Sequence, residues 1–135
     1  MSHLSIVRTD SANADFKGLV AKLDLLLLSV DGDEHTFYAP FNNIDKISEV
    51  VVAYRDKQPI GCGAIKPFDD DQHHNAAEIK RMYVAPEYRR QGVAVRILMA
   101  LEEWAAELNY KKCILETLLR MHFNLLSLII LFLLV

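Results

Sequence analysis

The polar and apolar positions change period several times along the chain, and each change marks an element. Residues 3–8 set Leu4, Ile6 and Arg8 in alternation with Ser5 and Val7, which predicts a short N-terminal strand. After the turn-like residues 9–13, Phe16, Leu19, Val20, Leu23, Leu26 and Leu27 recur at helical spacing. Asn13 is suited to cap that helix, with Asp15 in its first turn. Residues 25–28 are all Leu, which predicts a buried helix end. The run Asp31-Gly32-Asp33-Glu34 breaks the helix, and residues 37–47 have no clean period, reading as a loop with a short helix.

Two β-rich runs follow, residues 49–55 and 59–66, joined by Asp56, Lys57 and Gln58 as an antiparallel hairpin. Gly61 and Gly63 interrupt the second run, which points to a bulge or a close backbone approach. A polar connection over 68–75 leads to a further strand at 77–84, ended by Ala85-Pro86 because proline has no N–H to pair. From 92 to 108 the apolar positions Ala94, Leu98, Leu101, Ala105 and Leu108 form a stripe opposite Arg96, Glu103 and Glu107, the pattern of a helix packed on a sheet. Residues 112–116 form another short strand. Strand, helix and strand in that order predict a right-handed crossover with the two strands parallel.

Composition narrows the picture further. At 135 residues, with 52% apolar and 24% charged side chains and a net charge of −3, the chain suits one folded domain. It suits neither a disordered segment nor a nucleic-acid binder. No basic stretch followed by an apolar core opens the chain, so the expected location is cytoplasmic. Cys62 and Cys113 lie apart in apolar runs and read as buried core residues. One abrupt shift occurs near the end: of the final eleven residues only Ser127 is polar.

The candidate chemistry lies at the junction over 84–95. A strand entering a Gly-containing turn that opens a helix aims several N–H groups at one point, where the helix dipole favours an anion such as a pyrophosphate. Gly92 allows close approach, Ala94 leaves room, and Arg89 and Arg90 add charge. Local chemistry alone leaves open the reading of arginines that merely solvate a surface loop.

The sequence Arg89-Arg90-Gln91-Gly92-Val93-Ala94 matches the R/Q-x-x-G-x-G/A signature of the GNAT superfamily of acyl-CoA N-acyltransferases. Residues 77–88 resemble that family's fourth strand and its exit. Neither a Walker loop nor a dinucleotide fingerprint fits, because Gly-Lys-Ser/Thr and the three-glycine pattern are absent. The resemblance implies an α+β, three-layer fold, its mixed and mostly antiparallel sheet carrying one parallel strand–helix–strand unit. It implies acetyl-CoA as co-substrate and direct attack by an amine of a small molecule or peptide. The backbone of Met82, Tyr83 and Val84 would pair with pantetheine. N–H groups of Gln91, Gly92, Val93, Ala94 and Val95 would hold the pyrophosphate, helped by Arg89 and Arg90. A backbone N–H near Tyr83 or Val84 would polarise the thioester. Glu78 stands where some members carry a general base, and strand alternation puts it on one face with Lys80, Met82 and Val84. Its alternative is a salt-bridged strand residue, paired with Lys80 or Arg81.

Other candidates carry less. His73 and His74 have no third ligand at useful spacing beside the acidic residues 69–71, and Asp31-Gly32-Asp33-Glu34 lacks a calcium-loop frame, so no metal is expected. Phe37, Tyr38 and Phe41 border the acceptor pocket by resemblance or pack in the core. Trp104 and Tyr110 read as packing residues. The resemblance covers a domain over 1–117; a hydrophobic tail over 118–135 stands where the family has a last helix and strands, a switch that a premature stop or a frame change would explain. No tyrosine beyond Tyr110 is present to act as acid. The tail is too interrupted by Arg120, His122 and Asn124 to favour a membrane span. The exposed edge over 112–116 invites a homo-oligomer. Two functions remain open: an N-acyltransferase, or a CoA-binding remnant whose tail mediates association.

Overall fold

In this computed structural model the described residues are 3–31, 46–68 and 74–115, with the side chains of 27–31 excepted. The chain runs β1 (Leu4–Thr9), α1 (Ala14–Asp31), β2 (Glu49–Arg55), β3 (Gln58–Phe68), β4 (Ala76–Val84), a 3-10 turn (Pro86–Tyr88), α2 (Val93–Glu107) and β5 (Lys112–Leu115). The five strands lie in sequence order in one sheet. β1 to β4 pair antiparallel, and β4 pairs parallel with β5 through the α2 crossover. The α+β class, the hairpin and the parallel unit match the sequence reading. Residues 37–45, the acidic run at 69–71, His73 and everything from 116 onward, including the tail, lie outside the described residues.

The two helices cover opposite faces of the sheet. Asn13 Oδ1 accepts from the Phe16 N–H at 2.9 Å, so α1 starts on the cap its sequence offers. Phe16, Leu19, Val20 and Leu23 then bury against Val50, Val52, Cys62, Ala64 and Tyr83. In the leucine run expected to form a buried end, Leu25 is 66% and Leu26 40% exposed; the side chains of Leu27 and Leu28 lie outside those described. Leu25 lies off the i, i+3, i+4 stripe that reaches the sheet, whereas Leu26 stands on it, one turn past Leu23, the last residue of α1 described as buried.

On the other face α2 buries Val93, Ile97, Leu101 and Ala105. This stripe is rotated from the one expected: Ala94 and Leu98 flank it and Leu108 is exposed. The cause lies in β3. A methyl group at Gly63 would sit 2.8 Å from Met82 Sδ and 2.9 Å from both Ile97 Cγ2 and Leu101 Cδ1, and Gly61 is equally crowded. The bare backbone admits the Ile97–Leu101 ridge, so those side chains, not Leu98, define the contact. Trp104 packs as expected, beneath Arg8 at 4.7 Å, and Arg8 also clasps Glu107 through two bonds of 2.8 and 2.7 Å.

β4 is irregular. Cys62 pairs with Tyr83 and Ala64 with Lys80, so Arg81 and Met82 together oppose Gly63. Arg81 takes φ 58 at this bulge. One extra residue reverses the alternation. Ala77 and Ile79 face α2 before it; Met82 and Val84 face α2 after it, while Tyr83 faces α1.

Candidate functional site

β4 loses a neighbour where the bulge begins. Its residues Ala76 to Ile79 pair with β5, the last pair being Ile79 with Leu115; past that point the described residues pair it with β3 alone. The Ala85 N–H donates to Ile60 O at 2.8 Å. Alternation therefore points the peptide groups of Tyr83 at β3 and those of Val84 away from it, toward the side where no described residue pairs.

The exit from β4 is built by short-range geometry. Pro86 opens the 3-10 turn, Tyr88 N–H donates to Ala85 O at 2.9 Å, and Arg89 N–H donates to Pro86 O at 3.3 Å. Arg90 at φ 64 and Gly92 at φ 82 then reverse the chain into α2. Gly92 is the N-cap residue in the left-handed region, where glycine alone is unstrained. No side chain caps this helix start, and no acid lies in its first turn. The first intrahelical bond is Arg96 N–H to Gly92 O at 3.1 Å, which leaves the N–H groups of Val93, Ala94 and Val95 ahead of the ladder. The arrangement is that of an anion seat beside a strand edge that is unpaired among the described residues.

The expected side chains divide between these two features. Arg89 turns back to the strand: its Nε donates to Val84 O at 2.8 Å and its guanidinium lies 5.8 Å from the Tyr83 ring centroid. Burial pushes the Tyr83 phenol up, and the Arg89 guanidinium opposes that shift. Arg90 is exposed on the loop. Gln91 donates to Glu87 O at 3.2 Å and accepts from Arg55 at 3.4 Å, tying the loop to the β2–β3 hairpin. Met82 is half-buried; Val84 and Val93 are buried, and Ala94 and Val95 lie half-buried on the first turn of α2.

Glu78 is the one buried charged residue among those described, its side chain 12% exposed. Its carboxylate lies 3.5 Å from Lys80 Nζ, the ion-pair partner foreseen. The face foreseen for it is corrected by the bulge. Glu78 shares the α1 side with Lys80 and Tyr83, not with Met82 and Val84.

Three contributors were not singled out from sequence. Arg81 pairs with Asp24 of α1 at 3.3 Å, rather than with Glu78. Arg55 reaches the loop from the hairpin. The Cys62 thiol, pushed up to about 12 by burial, lies 3.3 Å from Arg81 O. None of these sits inside a local motif, and the pairing of β3 with β4 was the one signal for Cys62. Among the described residues no cluster of three metal-ligating side chains occurs, and no helix is long and apolar enough to cross a membrane.

Comparison with known proteins agrees with the fold. The family model described as Acetyltransferase (GNAT) family matches residues 20–124. An uncharacterised N-acetyltransferase of Schizosaccharomyces pombe is 27% identical over 123 residues, covering 85% of this chain and 72% of its own. The structure of a Klebsiella pneumoniae protein described as an acyl-CoA N-acyltransferase superposes with a TM-score of 0.66 at 25% identity, over 96% of this chain and 79% of that one. An acetyltransferase of Clostridium acetobutylicum determined with acetyl-CoA shares the fold, with a TM-score of 0.60 at 23% identity over 85% and 81% of the two chains. Two further curated relatives are spanned over 32% and 49% of their lengths.

Proposed function

The chain belongs to the acetyltransferase (GNAT) family, and we propose that it transfers an acetyl group from acetyl-CoA to an amine of a small molecule or peptide. One observation carries this reading: the edge of β4 past Ile79, which no described residue but those of β3 pairs with, leads through the turn at 85–91 into an uncapped helix start at Gly92. Such a continuous surface suits a ligand whose extended, amide-bearing arm ends in a pyrophosphate. Residues 82–84 offer the arm a strand to pair with, and the N–H groups over 91–95 suit the phosphates, with Arg90 exposed beside them.

Acetyl-CoA supplies an activated thioester. Transfer forms a bond from the amine nitrogen to the carbonyl carbon and breaks the carbon–sulfur bond; the amine gives up a proton and the leaving sulfur takes one. The outward N–H of Val84 is the group placed to stabilise charge on the carbonyl oxygen, since that of Tyr83 faces β3. Glu78 is the candidate base. It is a carboxylate shielded from solvent on the α1 side, and Lys80 holds its charge in place without burying it completely. Arg89 positions the edge by fixing Val84 O and stacking on Tyr83. The free thiols of Cys62 and Cys113 suit a reducing, cytoplasmic setting.

Calorimetry with acetyl-CoA, followed by thiol release across a panel of amines, tests the reading. Binding with turnover is expected, and Glu78→Gln should lower turnover by about 10²–10⁴-fold with little change in acetyl-CoA affinity. Binding without turnover for any amine would favour a CoA-binding module; no binding would end the proposal.

A further inference from the structure

We propose that Asp24 of α1 is a positioning residue for the acetyl-CoA edge, holding the β4 bulge in place through its ion pair with Arg81. The inference rests on reading residues 82–84 as the pantetheine-binding edge.

Six non-glycine residues among those described have positive φ: Asp56, Lys57, Asn75, Arg81, Arg90 and Asn109. Five stand in turns or just outside elements, where the left-handed region is common. Arg81 alone stands inside a strand, where a side chain with a Cβ resists that conformation. A conformation of this kind persists when its surroundings over-determine it, and two contacts with described residues contribute here. The Arg81 guanidinium meets Asp24 Oδ1 at 3.3 Å, the two side chains 22% and 17% exposed, across 57 residues of sequence. From the neighbouring strand β3, the Cys62 thiol donates to Arg81 O at 3.3 Å.

The bulge decides what the edge presents. It turns Met82 and Val84 to the α2 side, sends the peptide groups of Val84 outward, and brings Tyr83 to the face that carries Glu78. An unbulged strand would reverse all three. Asp24 is anchored for its task, since Leu23 beside it and Val20 one turn before are core residues of α1. Burial pushes its carboxyl up, and the charge and hydrogen bond of Arg81 oppose that shift.

Cys62 provides a probe of the bulge that does not depend on ligand. Its buried thiol reacts with a disulfide reagent only after local or global opening. In a Cys113→Ser background, Asp24→Asn and Arg81→Ala are each expected to speed Cys62 labelling and to weaken acetyl-CoA binding by calorimetry, each by about tenfold. The double variant Asp24→Asn/Arg81→Gly removes both charges but places at 81 a residue that adopts φ 58 freely. It should stay within about threefold of the parent in both assays. If it is as impaired as Asp24→Asn alone, or if Asp24→Asn is silent in both assays, the proposal is overturned. Labelling of Cys113 in a Cys62→Ser background should be unmoved by Asp24→Asn; an equal acceleration there would mean general destabilisation and would likewise overturn it. If the parent binds no acetyl-CoA, the cofactor reading fails, and the labelling series still decides whether Asp24 holds the bulge.

Discussion

The first four residues of β4 and the last four share a backbone but not a set of partners. Ala76 to Ile79 are paired on both sides, by β3 and β5, and are buried. Beyond Lys80 the strand bulges at Arg81, pairs on one side among the described residues, and turns the peptide groups of Val84 away from β3, the carbonyl oxygen accepting from Arg89. A sheet is most stable when every backbone group is satisfied. A strand that recognises an extended ligand must instead withhold some of those groups. β4 does both in nine residues, and the transition falls where its alternation reverses.

If the first half serves stability and the second serves ligand, changes in each should separate. The largest effect belongs to Ile79→Ala. Ile79 is 5% exposed, packed in the α2-side core and paired with Ile65 and Leu115. Denaturant unfolding should show a loss of about 2–5 kcal/mol, while acetyl-CoA affinity of the folded protein stays near that of the parent. A comparable loss of affinity would erase the division. Gly63→Ala straddles it, because the added methyl meets Met82 beyond the bulge as well as Ile97 and Leu101 of the core. We expect a loss of about 1–3 kcal/mol from overpacking, accompanied by weaker acetyl-CoA binding as Met82 is displaced. Stability loss with unchanged binding would mean that Met82 is not part of the edge.

How far the sequence foretold this division depends on the range of the forces involved. The hairpin, the α2 crossover and the Arg89–Ala94 turn were legible because each is set by nearby residues: β-branched runs, the proline at 86, the glycine at 92. The bulge was not. Arg81 looks like any strand residue, and its left-handed conformation is set by Asp24, 57 positions away, and by Cys62 on the next strand. The face of Glu78 relative to Met82 and Val84 was misread for that reason, since period-two alternation was carried through a residue that breaks it. The α2 stripe was misjudged similarly: the glycines of β3 draw in Ile97, and helix periodicity cannot see the strand beneath. The direction of Arg89, toward Val84 O, follows from a carbonyl that the bulge turns away from β3, to the side where no described residue pairs with β4.

Gly92→Ala sharpens the ligand half of the comparison at a smaller energetic scale. Its open surroundings exclude a clash, so the cost comes from φ 82 alone, about 1–2 kcal/mol of stability. Because the strain reorients the N–H groups that open α2, the acetyl-CoA Kd is expected to rise by about tenfold; an unchanged Kd would remove the helix start from the binding surface.

The smallest effect is expected far from both halves, at the clasp of Arg8 on Glu107, and it supplies a control with a definite pH sign. The hydrogen bond from Arg8 holds the Glu107 carboxyl below its ordinary value. A carboxyl lowered by folding adds stability that is present above its unfolded pKa, about 4.3, and is lost as pH falls through the lower folded value. The difference in Tm between the parent and Glu107→Gln should therefore be constant from neutrality to about pH 5, shrink below that, and be reduced by salt because the pair is exposed. Acetyl-CoA affinity should not change, since the clasp joins β1 to α2 and touches neither the open edge nor the helix start. A shift in affinity here would mean that α2 transmits strain from its far end to Gly92, and the two halves of β4 could then no longer be treated as separable.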